Sequence, residues 1–107
     1  MRKSVPPPST EPKPRLRTLQ GGRVELWFRG VCILRLPARA RNLVKILTSF
    51  QELDWPERID DPLDPSRTRD RSWRLRDTVR RLNAHLKNSP LSFKADGAGL
   101  GVLWMVT

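Results

Sequence analysis

The 107-residue chain predicts a small α+β domain, and three observations carry that expectation. Residues 23–36 alternate apolar and polar side chains on either side of Arg29-Gly30, the pattern of a β-hairpin. Two later stretches, Ala38–Leu53 and Arg74–Lys87, repeat apolar residues every three or four positions, the spacing of amphipathic helices. Residues 91–106 then read as two short apolar strands joined across Asp96-Gly97-Ala98-Gly99.

Taken in order, residues 1–22 hold Pro6, Pro7, Pro8, Pro12 and Pro14 among Ser, Thr and basic residues. Such a segment carries too little apolar surface to offset its ordering entropy, so it is expected to be a disordered cationic arm. The domain is expected over residues 23–107. Its first hairpin pairs Arg23–Phe28 with Val31–Leu36, and Pro37 ends it.

The first helix places Leu43, Ile46, Leu47, Phe50 and Leu53 on one stripe, widened by Val44, while Arg39, Arg41, Lys45, Gln51 and Glu52 stay outside. Its reading is core support. Trp55-Pro56 stops it, because proline disfavours a helical residue before it. From Glu57 to Ser72 the chain is polar, and Ile59, Leu63 and Trp73 are expected to anchor this crossing to the core. Asp60-Asp61-Pro62 suits the cap of a short helical turn. No third carboxylate or histidine stands at metal-ligating spacing, so no metal and no cofactor are expected.

Ser72 is the expected N-cap of the second helix, whose underside is Leu75, Val79, Leu82 and Leu86. Arg74, Asp77, Arg80, Arg81, Ala84 and Lys87 point broadly the other way, and Asp77 can pair with Arg80 or Arg81. The closing strands are Leu91–Ala95 and Val102–Val106. The cluster Gly97-Ala98-Gly99-Leu100-Gly101 is followed by a strand rather than a helix, so it reads as turn geometry and not as a phosphate cradle.

Charge narrows the function. The chain carries a net +10, concentrated at its two ends. Residues 1–22 hold five basic residues and one acidic; residues 74–107 hold six and two. An excess of this size favours an acidic partner. Catalysis is not expected, since one histidine, one cysteine and no tyrosine leave few ways to assemble a nucleophile, a base and its orienting group. Cys32, between Val31 and Ile33, reads as a small core hydrophobe with no disulfide partner. No apolar run approaches a membrane span and no secretory h-region opens the chain, so a cytoplasmic protein without membrane association is expected. Trp27, Trp55, Trp73 and Trp104 are all expected in the core.

The order hairpin, helix, crossing, basic helix, hairpin resembles a winged helix (winged helix-turn-helix), and most of all the effector domain of bacterial two-component response regulators. Val79-Arg80-Arg81-Leu82-Asn83-Ala84-His85-Leu86 is similar to that family's recognition-helix pattern. Ser92-Phe93-Lys94-Ala95-Asp96-Gly97-Ala98-Gly99-Leu100 is similar to its wing, and Arg23–Leu36 suits its leading sheet. Asn83, His85 and Leu100 stand where the family usually has arginine, lysine and tyrosine. The chain also resembles small bacterial proteins of unassigned role.

The resemblance implies double-stranded DNA as partner and transcription regulation as role, with the helix Arg74–Lys87 in the major groove. Arg74, Arg76, Arg80, Arg81, Asn83 and Lys87 would contact base edges or phosphates, and Lys94, Gly97 and Gly99 would lie along the minor groove. A monomer or weak homodimer is expected. The rival reading is a protein–protein interaction module on the same scaffold, suggested by Asp77 within the basic face.

Overall fold

A computed structural model describes residues 13–63, 71–97 and 100–106. Three strands come first: β1 (Arg15–Thr18), β2 (Val24–Phe28) and β3 (Val31–Leu36), paired antiparallel in the order β1-β2-β3. Helix α1 (Arg41–Glu52) follows, then β4 (Arg58–Asp60), helix α2 (Arg71–His85), β5 (Leu91–Ala95) and β6 (Gly101–Val106). The second sheet is antiparallel in the order β4-β6-β5. One apolar core joins both helices and both sheets, with Leu26, Ile46, Leu47, Phe50, Leu75, Leu82 and Val102 among its most buried members.

The β2–β3 hairpin forms where the alternation places it. Arg29 (φ 54°) and Gly30 (φ 78°) are both left-handed, as a two-residue type I′ turn requires, so its twist matches that of the flanking strands. A register shift at Leu26/Trp27 bulges the pair.

The N-terminal boundary moves. Arg15–Thr18, expected within a disordered arm, is an edge strand, and Pro14 beside it is fully buried. Only Leu16 of β1 turns toward the core, which is why no alternation betrays the strand. It is held instead by its ladder with β2 and by the Leu16 amide, which donates to Gln51 Oε1 at 2.8 Å. Residues 1–12 of the expected arm lie outside the described residues.

Helix α1 buries Leu43, Ile46, Leu47 and Phe50, but Leu53 is 62% exposed. The chain leaves the helix through Asp54 (φ 62°) and Trp55 (φ 56°), both left-handed, and the Trp55 amide reaches back to the Phe50 carbonyl at 2.8 Å. This reversal turns Leu53 outward and Trp55 inward. Trp55 stacks on Phe50 with ring centroids 5.1 Å apart, and Trp104 meets it edge-on at 6.0 Å. Gln51 Oε1 also accepts the Trp55 indole N–H at 2.9 Å, so one amide oxygen ties β1, α1 and this aromatic cluster together.

Ile59 and Leu63 anchor the crossing as expected, with Ile59 the one inward residue of β4. Asp61 does not cap a helix among the described residues; its Oδ1 accepts the Leu63 amide in a local turn. Residues 64–70 lie outside the described residues. Trp73 is not an anchor: it is 45% exposed, because α2 carries it to the side opposite Leu75. Helix α2 already includes Arg71, so Ser72 stands inside its first turn rather than at its cap. Trp27, Trp104 and Cys32 are half-buried, which leaves Trp55 as the one fully buried tryptophan.

Candidate nucleic-acid interface

Helix α2 owes its orientation to its apolar stripe. Leu75, Val79, Leu82 and Leu86 are all buried, joined by Thr78, whose Oγ1 donates to the Arg74 carbonyl at 2.8 Å. Turning the helix by this underside leaves Trp73, Arg76, Arg80, Arg81 and Lys87 exposed. Arg80 and Arg81 retain 78% and 71% of their side-chain surface.

Asp77 sits between them with only 13% of its side chain exposed. Arg80 donates to its Oδ1, and Arg81 Nε forms an ion pair with its Oδ2 at 3.1 Å. One carboxylate therefore offsets part of the charge of two guanidiniums while leaving both at the surface. Pairs of this kind stiffen an exposed helix by only about 0.3–0.5 kcal/mol.

Asn83 faces a different way from the arginines. Its amide nitrogen donates to the Phe93 carbonyl at 2.7 Å, and its Oδ1 accepts the Phe93 amide at 2.8 Å. Both ends of the side chain are taken up in fastening α2 to β5. Its expected role at base edges finds the amide already engaged, and the place where the family carries arginine is here a joint between helix and sheet. Arg74 also departs from the exposed set: its Nε and Nη2 are buried.

The hairpin β5–β6 projects beyond α2. Lys94 is exposed on β5, paired in register with Leu103. Asp96 organises the start of the connection: its Oδ1 accepts the Leu100 amide at 2.9 Å, and its Oδ2 accepts Arg58 Nη2 and Nε at 2.8 and 3.0 Å. Arg58 also donates to Asp60 Oδ1 at 2.8 Å, and these carboxylates, Asp96 foremost, raise its pKa further above the usual guanidinium range. Gly97 is exposed at the turn; Gly99 lies outside the described residues.

The structure thus leaves Arg76, Arg80 and Arg81 exposed along α2 and Lys87 exposed just past its end, with Lys94 exposed on the hairpin that follows. It holds Asn83 and Arg74 apart from that exposed set. What sequence reasoning missed is a groove of about 770 Å3 between the start of α1 and α2, lined by Arg39, Arg41, Arg74 and Arg81. Its signal was present: a helix that opens on Arg41, with no acid in its first turn, works against its own dipole.

Among the described residues no cluster of His, Cys, Asp or Glu could hold a metal ion, and no helix is long and apolar enough to cross a membrane. No protein-family model, curated protein or solved structure matches this chain.

Proposed function

We propose that this chain is a non-enzymatic winged-helix protein that binds duplex DNA, with a role in transcription regulation. What carries the reading is the one-sided exposure of α2: leucines bury its underside while Arg76, Arg80, Arg81 and Lys87 stand in solvent. Two further features support it. The element order α2-β5-β6 sets a basic helix immediately before a hairpin, an order the winged helix shares. The helix is also long enough, at 15 residues, to lie in a major groove.

In this reading α2 lies against the major groove with its arginines on phosphates, and the Lys94–Gly97 end of the hairpin reaches the adjacent backbone. Asp77 keeps the two guanidiniums spread and sharpens their placement. The protein acts as a monomer or a weak dimer.

The experiment is duplex affinity measured against salt concentration. Several phosphate contacts give a negative log–log slope of about 0.9 per contact. The paired change Arg80→Ala with Arg81→Ala should lower that slope by up to about two contacts' worth while leaving the far-UV spectrum intact. No binding at ~50 mM salt, where such contacts are strongest, rules the reading out.

One observation favours a second reading, a protein-docking surface. Trp73 is 45% exposed beside Arg76, Asp77 and Arg80, and an exposed tryptophan among mixed charges is a common interface anchor. A salt-independent partner whose binding is lost on Trp73→Ala would select it.

A further inference from the structure

The groove between the start of α1 and the flank of α2 gathers four arginines whose charge the described residues offset only in part. Arg39 and Arg41 come from the turn entering α1 and from its first residue; Arg74 and Arg81 come from α2, about two turns apart. Among the described residues Asp77 is the one carboxylate lining the groove, and it is already engaged by Arg80 and Arg81. Arg39 and Arg41 are exposed and meet no acceptor among the described residues.

The end of α1 adds to this charge. Ala40 occupies the N-cap and supplies no side-chain acceptor, and no acid stands in the first turn. The first amides of a helix have no partner within it, so those of Arg41, Asn42 and Leu43, three residues that line the groove, are donors in need of an acceptor. The helix dipole adds a partial positive charge at the same end, where cations are disfavoured unless an anion joins them.

Arg74 supplies an independent sign. Its Nε and Nη2 are buried and have no hydrogen-bond partner among the described residues. Two buried guanidinium donors without an acceptor are costly to a folded protein. Nε and Nη2 form the edge of the guanidinium fork that grips an oxyanion with two parallel bonds.

We infer that this groove is a phosphate seat, in which Arg74, Arg39 and Arg41 close on one phosphate group against the first amides of α1. The tetrahedral oxyanion accepts from the Arg74 fork on one side and from the α1 amides on the other, while Arg39 and Arg41 supply charge at the rim. The phosphate is either a backbone phosphodiester of the duplex or a free phosphate monoester. The first source rests on the duplex reading above; the second does not. If the source is the duplex, the seat lies to one side of the exposed arginine face and fixes how far α2 turns about its own axis in the major groove.

The test follows backbone amide resonances of Arg41, Asn42 and Leu43, with Arg74 Nε, in the full chain as inorganic phosphate and, separately, a short duplex are added. Saturable shifts at these sites with either addition support the seat, provided that they vanish in Arg39→Gln/Arg41→Gln and in Arg74→Met. Both variants are needed: the rim change is exposed and spares the core, whereas Arg74→Met removes the buried fork itself. Shifts with duplex alone assign the phosphodiester, and removing Arg74 should then lower the salt slope by about 0.9. Shifts with inorganic phosphate alone assign the free anion. No shift at these four sites with either probe overturns the inference, as do shifts that persist unchanged in both variants. A protein that fails to bind duplex yet passes the phosphate titration keeps the seat and loses the DNA function. One that binds duplex with these four signals unmoved does the reverse.

Discussion

Asn83 of α2 takes both backbone groups of Phe93, donating to its carbonyl at 2.7 Å and accepting its amide at 2.8 Å. Phe93 belongs to β5, which among the described residues pairs with β6 along one edge only, so an amide side chain continues the ladder along its other edge. The joint fixes the distance between the basic helix and the hairpin that follows it.

Asn83→Ala should therefore lower stability by about 1–3 kcal/mol, the cost of stranding part-buried backbone groups. Chemical denaturation followed by circular dichroism reads the loss. Asn83→Asp should be at least as harmful, since a carboxylate facing the Phe93 carbonyl cannot donate to it. If either variant loses duplex affinity without losing stability, Asn83 contacts the nucleic acid after all.

Gly101→Ala tests the turn end of the hairpin. A Cβ at Gly101 would run into the Arg58 guanidinium, which holds Asp96 and Asp60. The far end of a flexible side chain can move, so the expected result is loss of those pairs with a small penalty rather than unfolding. In an Arg58→Ala background the same glycine change should cost almost nothing. Additive penalties in the double-mutant cycle would show that something other than Arg58 crowds the site.

Glu25 sets a pH dependence. The Trp27 indole N–H, donating at 3.1 Å, holds its carboxyl below the usual glutamate range, helped by Arg35 at 3.2 Å and by Arg17 and opposed by partial burial. A carboxyl with a depressed folded pKa adds stability above its unfolded pKa and loses it as pH falls through the folded one. Glu25→Gln should thus be less stable than the parent at neutral pH, and the difference should shrink from the ordinary glutamate range downward. Parallel stability curves for the two proteins across that acid range would remove Glu25 from the account.

Two tryptophans should respond oppositely to removal. Trp55→Ala empties the centre of the aromatic cluster and is expected to cost about 3–5 kcal/mol. Trp73→Ala, on the exposed face of α2, should change stability by about 0.5 kcal/mol. Added duplex should quench the fluorescence that Trp73 contributes, and the quenching should disappear in that variant. Equal stability losses would mean that Trp73 packs on more than its exposure suggests.

The two helices and both hairpins were legible because each repeats apolar residues at its own period. Leu75, Val79, Leu82 and Leu86 were enough to orient α2, and Arg29-Gly30 was enough to place the first turn. What escaped was whatever depends on a partner distant in the chain. Strand β1 offers one inward side chain, Leu16, and is built by its ladder with β2 and by a bond to Gln51, neither of which leaves a local pattern. Strand β4 is three residues long and exists because β6 lies beside it. Leu53 kept the helical period yet lay one step past the helix end, where Asp54 and Trp55 reverse the chain. In the candidate site, the exposure of Arg80 and Arg81 followed from the wheel. The engagement of Asn83 by Phe93 did not, since that partner is ten positions away on another element.

Pro14 has a practical consequence for anyone trimming this protein. It is sealed beneath the sheet, and β1 beyond it caps the row of backbone donors and acceptors along β2. Cutting at the glycine pair before Arg23 would convert the middle strand of that layer into a bare margin, open to a neighbour's strand. Shortened versions beginning there should self-associate and precipitate; those that keep everything from Lys13 onward should stay dispersed.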